Sequence, residues 1–540
     1  MYLTFEMFAS LRDRLVTDIG GFAPELILCA GLVLLLFLRL FSSFDRVHMG
    51  PISLVISVLA LGASLNQWEV PSSSGLFSRM LVYDNFTVFV RMFLCGFAAL
   101  MVCLTMLTRI PDREDSADFY CLLLGATVGM CIMASANHLL MVYIGVEMAS
   151  LPSYALAGFL KGRRQSSEAS LKYVVYGGGA SGVMLYGISL LAGKYGTGYL
   201  PDLALAYGGS HPLGVGGSDW VLFLGTMLLL VGLAFKLAAV PFHFWCPDVF
   251  EGASAEIAAF LSVASKGAAL ALLGRLTLVF AGLGGGALDY AKWHTVASYL
   301  VPALAFFAAL TATVGNLAAY PQTNLKRLLA YSTIAHAGYM MMGLATLTPE
   351  GAGAVLFYLV AYLLMNLGAF AVVAFIRNRT GSEDLSSYRG LVQRSPLLTT
   401  VLAIFLLSLL GMPPLAGFAA KFQIFSVLFD AGRMYSSQGS PGLGAIMYAL
   451  LLIGGLNTAI SAVYYIRVLK VMTLDKPTEE ESGLPAAPLR ISTGASLYAA
   501  LLAVLVLVAG VAWNPISRAS STGVSQFQRA PSPPSMAKGS

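Results

Sequence analysis

Long apolar segments recur along the whole chain and predict transmembrane helices. An α-helix needs about 20 apolar residues to cross a hydrocarbon core of about 30 Å. The segments lack the alternating pattern of a membrane β-barrel, and backbone groups in lipid must be hydrogen-bonded within the chain. We therefore predict an all-α polytopic membrane protein with about fourteen transmembrane helices. The predicted helices lie near residues 24–41, 51–67, 86–108, 118–136, 138–160, 170–193, 219–241, 254–282, 297–318, 326–346, 353–377, 397–428, 443–470 and 494–514.

Proline interrupts two of these segments, the seventh and the twelfth. In the seventh, Pro241 and Pro247 follow Lys236, and in the twelfth Pro413 and Pro414 precede Lys421. Proline frees backbone carbonyls, which a membrane tolerates only where protein or water satisfies them. Because paired interruptions in two halves of a chain are typical of transporters with internal repeats, we predict two inverted five-helix repeats with broken helices 7 and 12.

These boundaries divide the chain into five parts. Helices 1–3 occupy residues 1–117, the first repeat (helices 4–8) occupies 118–282, and the second repeat (helices 9–13) occupies 297–470. Residues 471–514 form a loop and helix 14. Residues 515–540 are polar and rich in Pro and Ser, so we expect them to form a disordered tail.

The composition excludes an ordinary soluble enzyme. Hydrophobic residues make up 57% of the chain and charged residues only 11%, whereas soluble domains carry about 25% charged residues. The net charge of +5 comes from basic residues scattered between apolar segments, so we expect no nucleic-acid partner. The six cysteines show no CxxC spacing and the six histidines no HxxH spacing, so we expect no metal and no redox cofactor in this chain.

One glycine-rich sequence imitates a nucleotide-binding motif. The sequence from Gly177 to Gly182 matches GxGxxG. It lies inside an apolar segment with no strand before it, so close helix packing through small residues is the expected role.

Basic residues are distributed unevenly between the two sets of loops. Loops rich in Lys and Arg lie in the cytoplasm, so we expect the odd-numbered loops to be cytoplasmic and both termini to lie outside. The odd-numbered loops hold Arg46, Arg109, Arg113, Lys161, Arg163, Arg164, Arg327, Arg377, Arg379, Arg389, Arg394, Arg467, Lys470, Lys476 and Arg490, and the even-numbered loops hold Arg79, Lys194, Lys292 and Arg433.

Charged residues inside the apolar segments mark the candidate functional site. A charge at the middle of a membrane helix costs roughly 2.5–3.5 kcal/mol on insertion scales, so such residues are usually functional. His336 in the tenth segment adds a group that titrates near neutral pH. The charged residues, in the fifth, sixth, seventh, eighth and twelfth segments, are Glu147, Lys172, Lys236, Lys266 and Lys421.

Each of these residues also has a purely structural interpretation. Lys172 lies about one turn into its helix, where a lysine can extend to the membrane surface, and the same holds for Arg91 and Arg275. Glu147 and Lys236 could form a static ion pair. His336 could make an interhelical hydrogen bond, whereas a lone buried lysine such as Lys266 is harder to explain structurally.

The chemistry that this set allows is proton transfer. A low-dielectric interior destabilises the ammonium form of a lysine, so a buried lysine can release and regain a proton near neutral pH, and a nearby carboxylate favours the charged form. We expect Glu147 to control Lys236 in this way, with Lys236, Lys266 and Lys421 as successive stations across the membrane midplane.

The segments around these residues resemble the antiporter-like subunits of bacterial NADH-quinone oxidoreductase, respiratory complex I. With compatible helices on both sides, the resemblance covers nearly the whole chain. The motifs are GVEMASLPSY around Glu147, AFKLAAVPFHFWCPDVFEG around Lys236, ASK ending at Lys266, NLKRLLAYSTIAHAG around His336 and GMPPLAGFAAKF around Lys421.

Within this family, the resemblance is to subunit N. Subunit L carries a long lateral helix after its core, whereas only the tail follows residue 514 here, and subunit M has glutamate where this chain has Lys421. The resemblance implies that Glu147, Lys236, Lys266 and Lys421 serve the proton path. Lys172 and His336 are second-tier candidates for the same path.

The resemblance also implies a setting for the chain, the membrane arm of complex I in the inner (plasma) membrane of a bacterium. Its partners would be the peripheral redox arm and the membrane-arm subunits L, M, A, J, K and H, of which the last holds the quinone site. FMN, iron–sulfur clusters and quinone would be bound by those partners, which oxidise NADH. Two other functions stay open, namely a subunit of a cation/proton antiporter and a structural subunit whose buried charges only guide assembly.

Overall fold

The computed structural model describes residues 12, 15–41, 47–112, 114–207, 220–283, 290–477 and 488–527, with residues 206–207 and 290–292 described as backbone only. Within these ranges the chain is almost entirely helical. The helices are α1 (Leu15–Gly21), α2 (Ala23–Arg39), α3 (Gly50–Asn66), α4 (Asn85–Thr108), α5 (Ser116–Ser135), α6 (Leu139–Ala157), α7 (Arg164–Tyr195), α8 (Leu200–Tyr207), α9 (Trp220–Leu237), α10 (Trp245–Gly252), α11 (Ala255–Phe260), α12 (Lys266–Phe280), α13 (Tyr290–Ala319), α14 (Leu325–Leu344), α15 (Pro349–Thr380), α16 (Leu391–Arg394), α17 (Pro396–Leu410), α18 (Ala416–Ser437), α19 (Pro441–Thr473), α20 (Thr493–Val511) and α21 (Asn514–Gly523).

The helices confirm a polytopic membrane fold. Ten helical segments of the described chain are long and apolar enough to cross a membrane, counting α11 and α12 as one, and the bent pair α1 and α2 raises the number to eleven. Helices α14 and α18, with 20 and 22 residues, are also long enough to cross a membrane, but they are too polar to be counted with these ten segments. The fold is therefore helical and multi-pass, and the number fourteen remains a prediction.

A short antiparallel hairpin connects α3 to α4. Strand β1 (Ser74–Leu76) pairs with β2 (Leu81–Tyr83), with Gly75 opposite Val82. Asp84 follows the hairpin and caps α4, because its side chain accepts a hydrogen bond from the backbone N–H of Thr87.

Both proline-interrupted segments are broken where the sequence predicts. Helix α9 ends at Leu237, and Ala238 adopts a left-handed conformation with φ of 52°. Helix α17 ends at Leu410, and Gly411 has φ of 93°, a conformation that glycine adopts without strain. Short connections then lead into α10 and α18, so each break lies beside one of the predicted lysines.

Two arginines that the sequence assigned to helix ends are fully buried instead. Arg91 donates to Glu25 Oε1 at 2.6 Å and to the carbonyl of Gly21 at 2.8 Å, and both charged side chains are 0% exposed. This pair fixes α2 to α4. The idea that Arg91 extends to the membrane surface is wrong, because its ion-pair partner lies on a neighbouring helix that sequence spacing does not place.

The second buried arginine connects three parts of the bundle. Arg275 on α12 makes two hydrogen bonds of 2.9 Å to the carboxylate of Asp84 and one of 2.7 Å to the carbonyl of Ala134 at the end of α5. Burial opposes ionisation of Asp84, but the Arg275 guanidinium and the hydrogen bonds from Thr87 outweigh it and lower the pKa of Asp84. Arg275 therefore also does not extend to the surface.

Only part of the glycine-rich sequence in α7 is used for close helix packing. A Cβ at Gly177 would overlap the hydroxyl group of Tyr154 on α6, so α6 and α7 approach closely there. Gly178, Gly179 and Gly182 have open space at the same position. Close packing thus explains Gly177 but does not require the other three glycines.

The end of the chain corrects the prediction of a disordered tail beginning at residue 515. Helix α21 and a 3₁₀ turn continue to Phe527, whose ring lies 6.0 Å from that of Phe86. Gln526 accepts a hydrogen bond of 3.1 Å from the backbone of Asn85. The prediction relied on Pro and Ser content, which takes no account of the apolar contacts that Phe527 makes with α4. Residues 528–540 lie outside the described residues.

Replacing Arg275 should destabilise the protein strongly. Arg275→Gln leaves the buried Asp84 carboxylate without its cation, and breaking a buried ion pair costs about 3–5 kcal/mol. Arg39→Gln, which removes an exposed pair with Asp118, should cost about 1 kcal/mol or less. Thermal melting in detergent and protein levels in membranes measure both effects. Equal melting of the two variants would show that the Arg275 pair does not hold the bundle.

Candidate functional site

Lys236 lies in the last turn of α9, at the break in the helix. Its side chain is 1% exposed, and within the described residues its Nζ has no hydrogen-bond partner. The break exposes the carbonyl of Phe235, which accepts hydrogen bonds from the backbone of Ala238 at 2.9 Å and from Trp245 Nε1 at 3.0 Å. The chain thus satisfies the broken backbone but leaves the ammonium group without a hydrogen bond.

Glu147 on α6 supplies a negative charge that acts on Lys236. The carboxylate of Glu147 interacts electrostatically with the Lys236 ammonium group. Glu147 is half-buried and accepts a short hydrogen bond from Ser181 of α7. The structure therefore brings together the two residues that the sequence predicted to act as a pair, without a direct salt bridge in the described residues.

Lys266 lies immediately after an irregular turn. Residues Leu261–Ser265 form a π-helical turn between α11 and α12, and such turns occur frequently at functional sites. The Lys266 side chain is 1% exposed, and its Nζ donates to the thiol Sγ of Cys246 at 3.9 Å. Cys246 belongs to α10, so Lys266 is connected to the segment that follows the break in α9.

The same irregular turn contributes to a buried polar cluster that sequence reasoning missed. Ser262 lies 3.0 Å from both Thr333 Oγ1 and the hydroxyl of Tyr362, and it accepts a short hydrogen bond from Asn366. These residues come from α14 and α15. Hydroxyl groups scattered among apolar residues give no signal in a sequence, because their importance depends on which helices meet.

His336 connects Lys266 with Lys421. The imidazole interacts electrostatically with both lysines, and it is 2% exposed. Its Nδ1 lies 2.7 Å from the hydroxyl of Tyr358, and its Nε2 lies 3.3 Å from that of Tyr465. The interhelical hydrogen bonds expected of His336 are thus present, and they join α14 to α15 and α19.

Lys421 lies in the second turn of α18, just after the second break. Its Nζ donates to the carbonyl of Leu410 at 2.9 Å, which is a carbonyl released where α17 ends. Its ammonium group also lies 4.7 Å from the centre of the Tyr339 ring, a cation–π contact. A Cβ at Gly417 would overlap the carbonyl of Ser408, so glycine is required for α18 to begin this close to α17.

Lys172 lies apart from this line. Its Nζ makes salt bridges of 2.7 Å to Asp248 and 2.9 Å to Glu168, and its side chain is 37% exposed. Its neighbours are charged and it is partly exposed, whereas Lys236, Lys266 and Lys421 are buried. The structure therefore separates Lys172 from the buried lysines.

The remaining titratable residues lie in or beside the bundle interior, and we call this set the polar line. It contains a carboxylate, three ammonium groups and an imidazole, with hydroxyl groups between them. The groups of the polar line are of the kinds that transfer protons in general acid–base chemistry. Its members are Glu147, Lys236, Lys266, His336 and Lys421.

Known proteins share this fold and much of the sequence. Residues 136–437 match the family model described as NADH:quinone oxidoreductase/Mrp antiporter, TM. NADH-quinone oxidoreductase subunit N from Anaeromyxobacter sp. (strain Fw109-5) is 40% identical, over 97% of this chain and 100% of its own length. A chain of respiratory complex I from Thermus thermophilus with bound aureothin is 31% identical with a TM-score of 0.71, covering 93% of this chain and 100% of that chain.

A more distant structure shows the same fold. A chain of the Mrp complex from Dietzia sp. DQ12-45-1b gives a TM-score of 0.74 over 94% of this chain and 97% of that chain, at 19% identity. The helical bundle, the two breaks and the buried lysines thus define a membrane protein of the antiporter-like class. The chain belongs to the NADH-quinone oxidoreductase subunit N family.

The contact between Lys421 and Tyr339 can be tested by two substitutions. Tyr339→Leu removes the ring under a desolvated ammonium group, a contact worth about 2 kcal/mol, and should lower thermal stability. Tyr339→Phe keeps the ring and loses only weak hydrogen bonds of 3.4 Å, so it should melt close to wild type. Melting of the protein in detergent separates the two variants. If Phe is as damaging as Leu, the hydroxyl and not the ring supports Lys421.

Proposed function

We propose that the chain is a proton-translocating membrane-arm subunit of NADH-quinone oxidoreductase, and that the polar line is its proton path. Family membership and the complex I structure support the setting. The geometry supports the role, because five different helices place titratable side chains in or beside the interior of a membrane bundle. Electron transfer from NADH to quinone, with FMN and iron–sulfur clusters, belongs to partner subunits.

The observation that carries this proposal is the state of Lys236. A buried cation costs several kcal/mol unless it is paired and hydrogen-bonded. Arg91 and Arg275 meet this requirement with close carboxylates, whereas Lys236 has no hydrogen-bond partner within the described residues. A static structural role favours the arrangement of the arginines. An ammonium group held by a charge at longer range suits a residue that must give up its proton.

The proposed transfer begins with Glu147. While Glu147 is charged, it stabilises the ammonium form of Lys236; when its charge is removed or neutralised, Lys236 releases the proton from Nζ. The neutral amine of Lys266 accepts a proton and becomes an ammonium ion, stabilised by Cys246 Sγ. Moving one charge against 100 mV costs about 2.3 kcal/mol, an amount comparable to the electrostatic effect of one nearby buried charge.

The proposed path continues through His336 to Lys421. His336 can take a proton on one ring nitrogen and release one from the other, since each nitrogen faces a tyrosine hydroxyl. Lys421 then receives the proton, and the Leu410 carbonyl and the Tyr339 ring stabilise its charged form. We assign Lys172 to the surface side of the path and not to the line itself.

The architecture in the proposal is the one that the sequence predicts. Fourteen spans would include the shorter or more polar helices, and the five-helix repeats would cover residues 118–282 and 297–470. Each repeat contains one broken helix beside a buried lysine, which supports this division. We place both termini on the periplasmic side of the inner membrane. We propose subunits L, M, A, J, K and H and the peripheral arm as partners.

A cation/proton antiporter subunit is the second candidate, because the Mrp complex chain has the same fold. The two functions differ in their need for a metal cation. Purified complex in liposomes should acidify the lumen on NADH addition at an unchanged rate when choline replaces Na⁺ and K⁺. A rate that depends on Na⁺ or K⁺ and not on NADH would support the antiporter.

The central prediction concerns Lys236. Lys236→Ala should leave an assembled complex in which proton transfer through this chain falls about a hundredfold or more, the usual effect of removing a proton-transfer group. The readout is protons moved per NADH oxidised in vesicles, with assembly checked by the subunit content of the purified complex.

Lys161→Ala provides the matched control. Lys161 is an exposed lysine, with its side chain 75% exposed, and it pairs with Asp115. This variant should pump like wild type. Normal pumping by an assembled Lys236→Ala complex would reject the role of Lys236, and failure to assemble would instead indicate a structural charge.

A further inference from the structure

A charged cluster surrounds Asp248 and Glu251, the fourth and seventh residues of α10. Arg327 of α14 donates to Asp248 at 2.8 Å and to Glu251 at 2.6 Å. Lys172 of α7 binds the other oxygen of Asp248 at 2.7 Å and also Glu168. We call these five residues the Arg327 cluster. It borders a cavity of about 270 Å³ and connects three helices through the side chains of α10.

The first two residues of α10 contact the surroundings of the polar line. Trp245, its first residue, donates to the carbonyl of Phe235, the residue before Lys236. Cys246, its second residue, accepts the hydrogen bond from Lys266. One short helix therefore contacts the surroundings of two buried lysines through its first two residues. The same helix contributes Asp248 and Glu251 to the Arg327 cluster.

The carboxyl-terminal end of α10 is also held by a second cation from α14. Lys326 donates to the carbonyl of Glu251 at 2.9 Å and to that of Ala253 at 2.6 Å, and it forms a salt bridge of 3.0 Å with Glu383. A cation at a helix carboxyl terminus stabilises carbonyls that lack helical partners. Two successive residues of α14 thus hold the backbone and the side chains of α10.

Helix α10 needs such contacts because it is short. An eight-residue helix is not stable alone, and non-helical residues flank it on both sides. Burial opposes ionisation of Asp248, but hydrogen bonds from Lys172 and Arg327 outweigh it and lower the pKa of Asp248. Asp248 consequently stays charged near neutral pH, and its ion pairs remain available to fix the position of the helix.

We propose that Arg327 is a positioning residue that holds α10 and thereby sets the surroundings of Lys236 and Lys266. It acts from α14, the helix that also carries His336, so a shift of α14 reaches the lysines through α10. This inference rests on the proposed function, because positioning matters for pumping only if the two lysines carry protons.

The test compares four variants in the intact, purified complex. Arg327→Gln removes both ion pairs, Arg327→Lys keeps the charge but replaces the guanidinium whose Nη1 donates to both carboxylates, and Glu251→Gln removes one pair only. Lys161→Gln is the control, because it breaks a surface pair at the same charge change without touching α10. Hydrogen–deuterium exchange of residues 245–252 and protons moved per NADH oxidised are the two readouts.

Arg327→Gln should raise exchange in α10 about fivefold, the effect of losing partly exposed ion pairs, and should lower the proton ratio. Arg327→Lys and Glu251→Gln should lie between this variant and wild type, with Lys161→Gln unchanged. If Arg327→Gln does not assemble, Glu251→Gln decides. Unchanged exchange in α10 overturns the positioning role. Raised exchange with normal pumping overturns the link to the lysines, whereas Lys236→Ala tests the proton path independently.

Discussion

The low dielectric of the bundle interior is the constraint on which the rest of this structure depends. A charge taken out of water must find an opposite charge and hydrogen bonds, or it destabilises the fold. Arg91 and Arg275 each have a carboxylate within hydrogen-bond distance in another part of the bundle. The lysines of the polar line obey this rule only partly, and this difference separates residues that build the bundle from residues that can change their charge.

The two helix breaks show how the same constraint positions chemistry. Ending a helix inside a membrane releases carbonyl groups that need donors. Trp245 supplies a donor to Phe235 at the first break, and Lys421 supplies one to Leu410 at the second. A break therefore leaves a carbonyl group to which a buried ammonium group or an indole N–H can donate a hydrogen bond.

Connection between distant parts of the bundle runs through short or irregular elements. The π-helical turn before Lys266 brings Ser262 to the hydroxyl groups of Thr333 and Tyr362, while α10 joins the polar line to charged groups near its end. Such elements have few helical hydrogen bonds of their own, so side-chain contacts decide where they lie. The position of each element therefore depends on a small number of side-chain contacts.

Sequence alone determined the class of fold, the positions of the two breaks and the buried lysines Lys236, Lys266 and Lys421, because long apolar segments, proline and charge are local signals. The tertiary structure decided which charges meet. Nothing local shows that Arg275 pairs with Asp84, that His336 lies between Lys266 and Lys421, or that Lys172 belongs with Asp248 at the edge. These pairings join residues far apart in the chain, and only the packing of one helix against another sets the short distances on which electrostatic interaction in a poor dielectric depends.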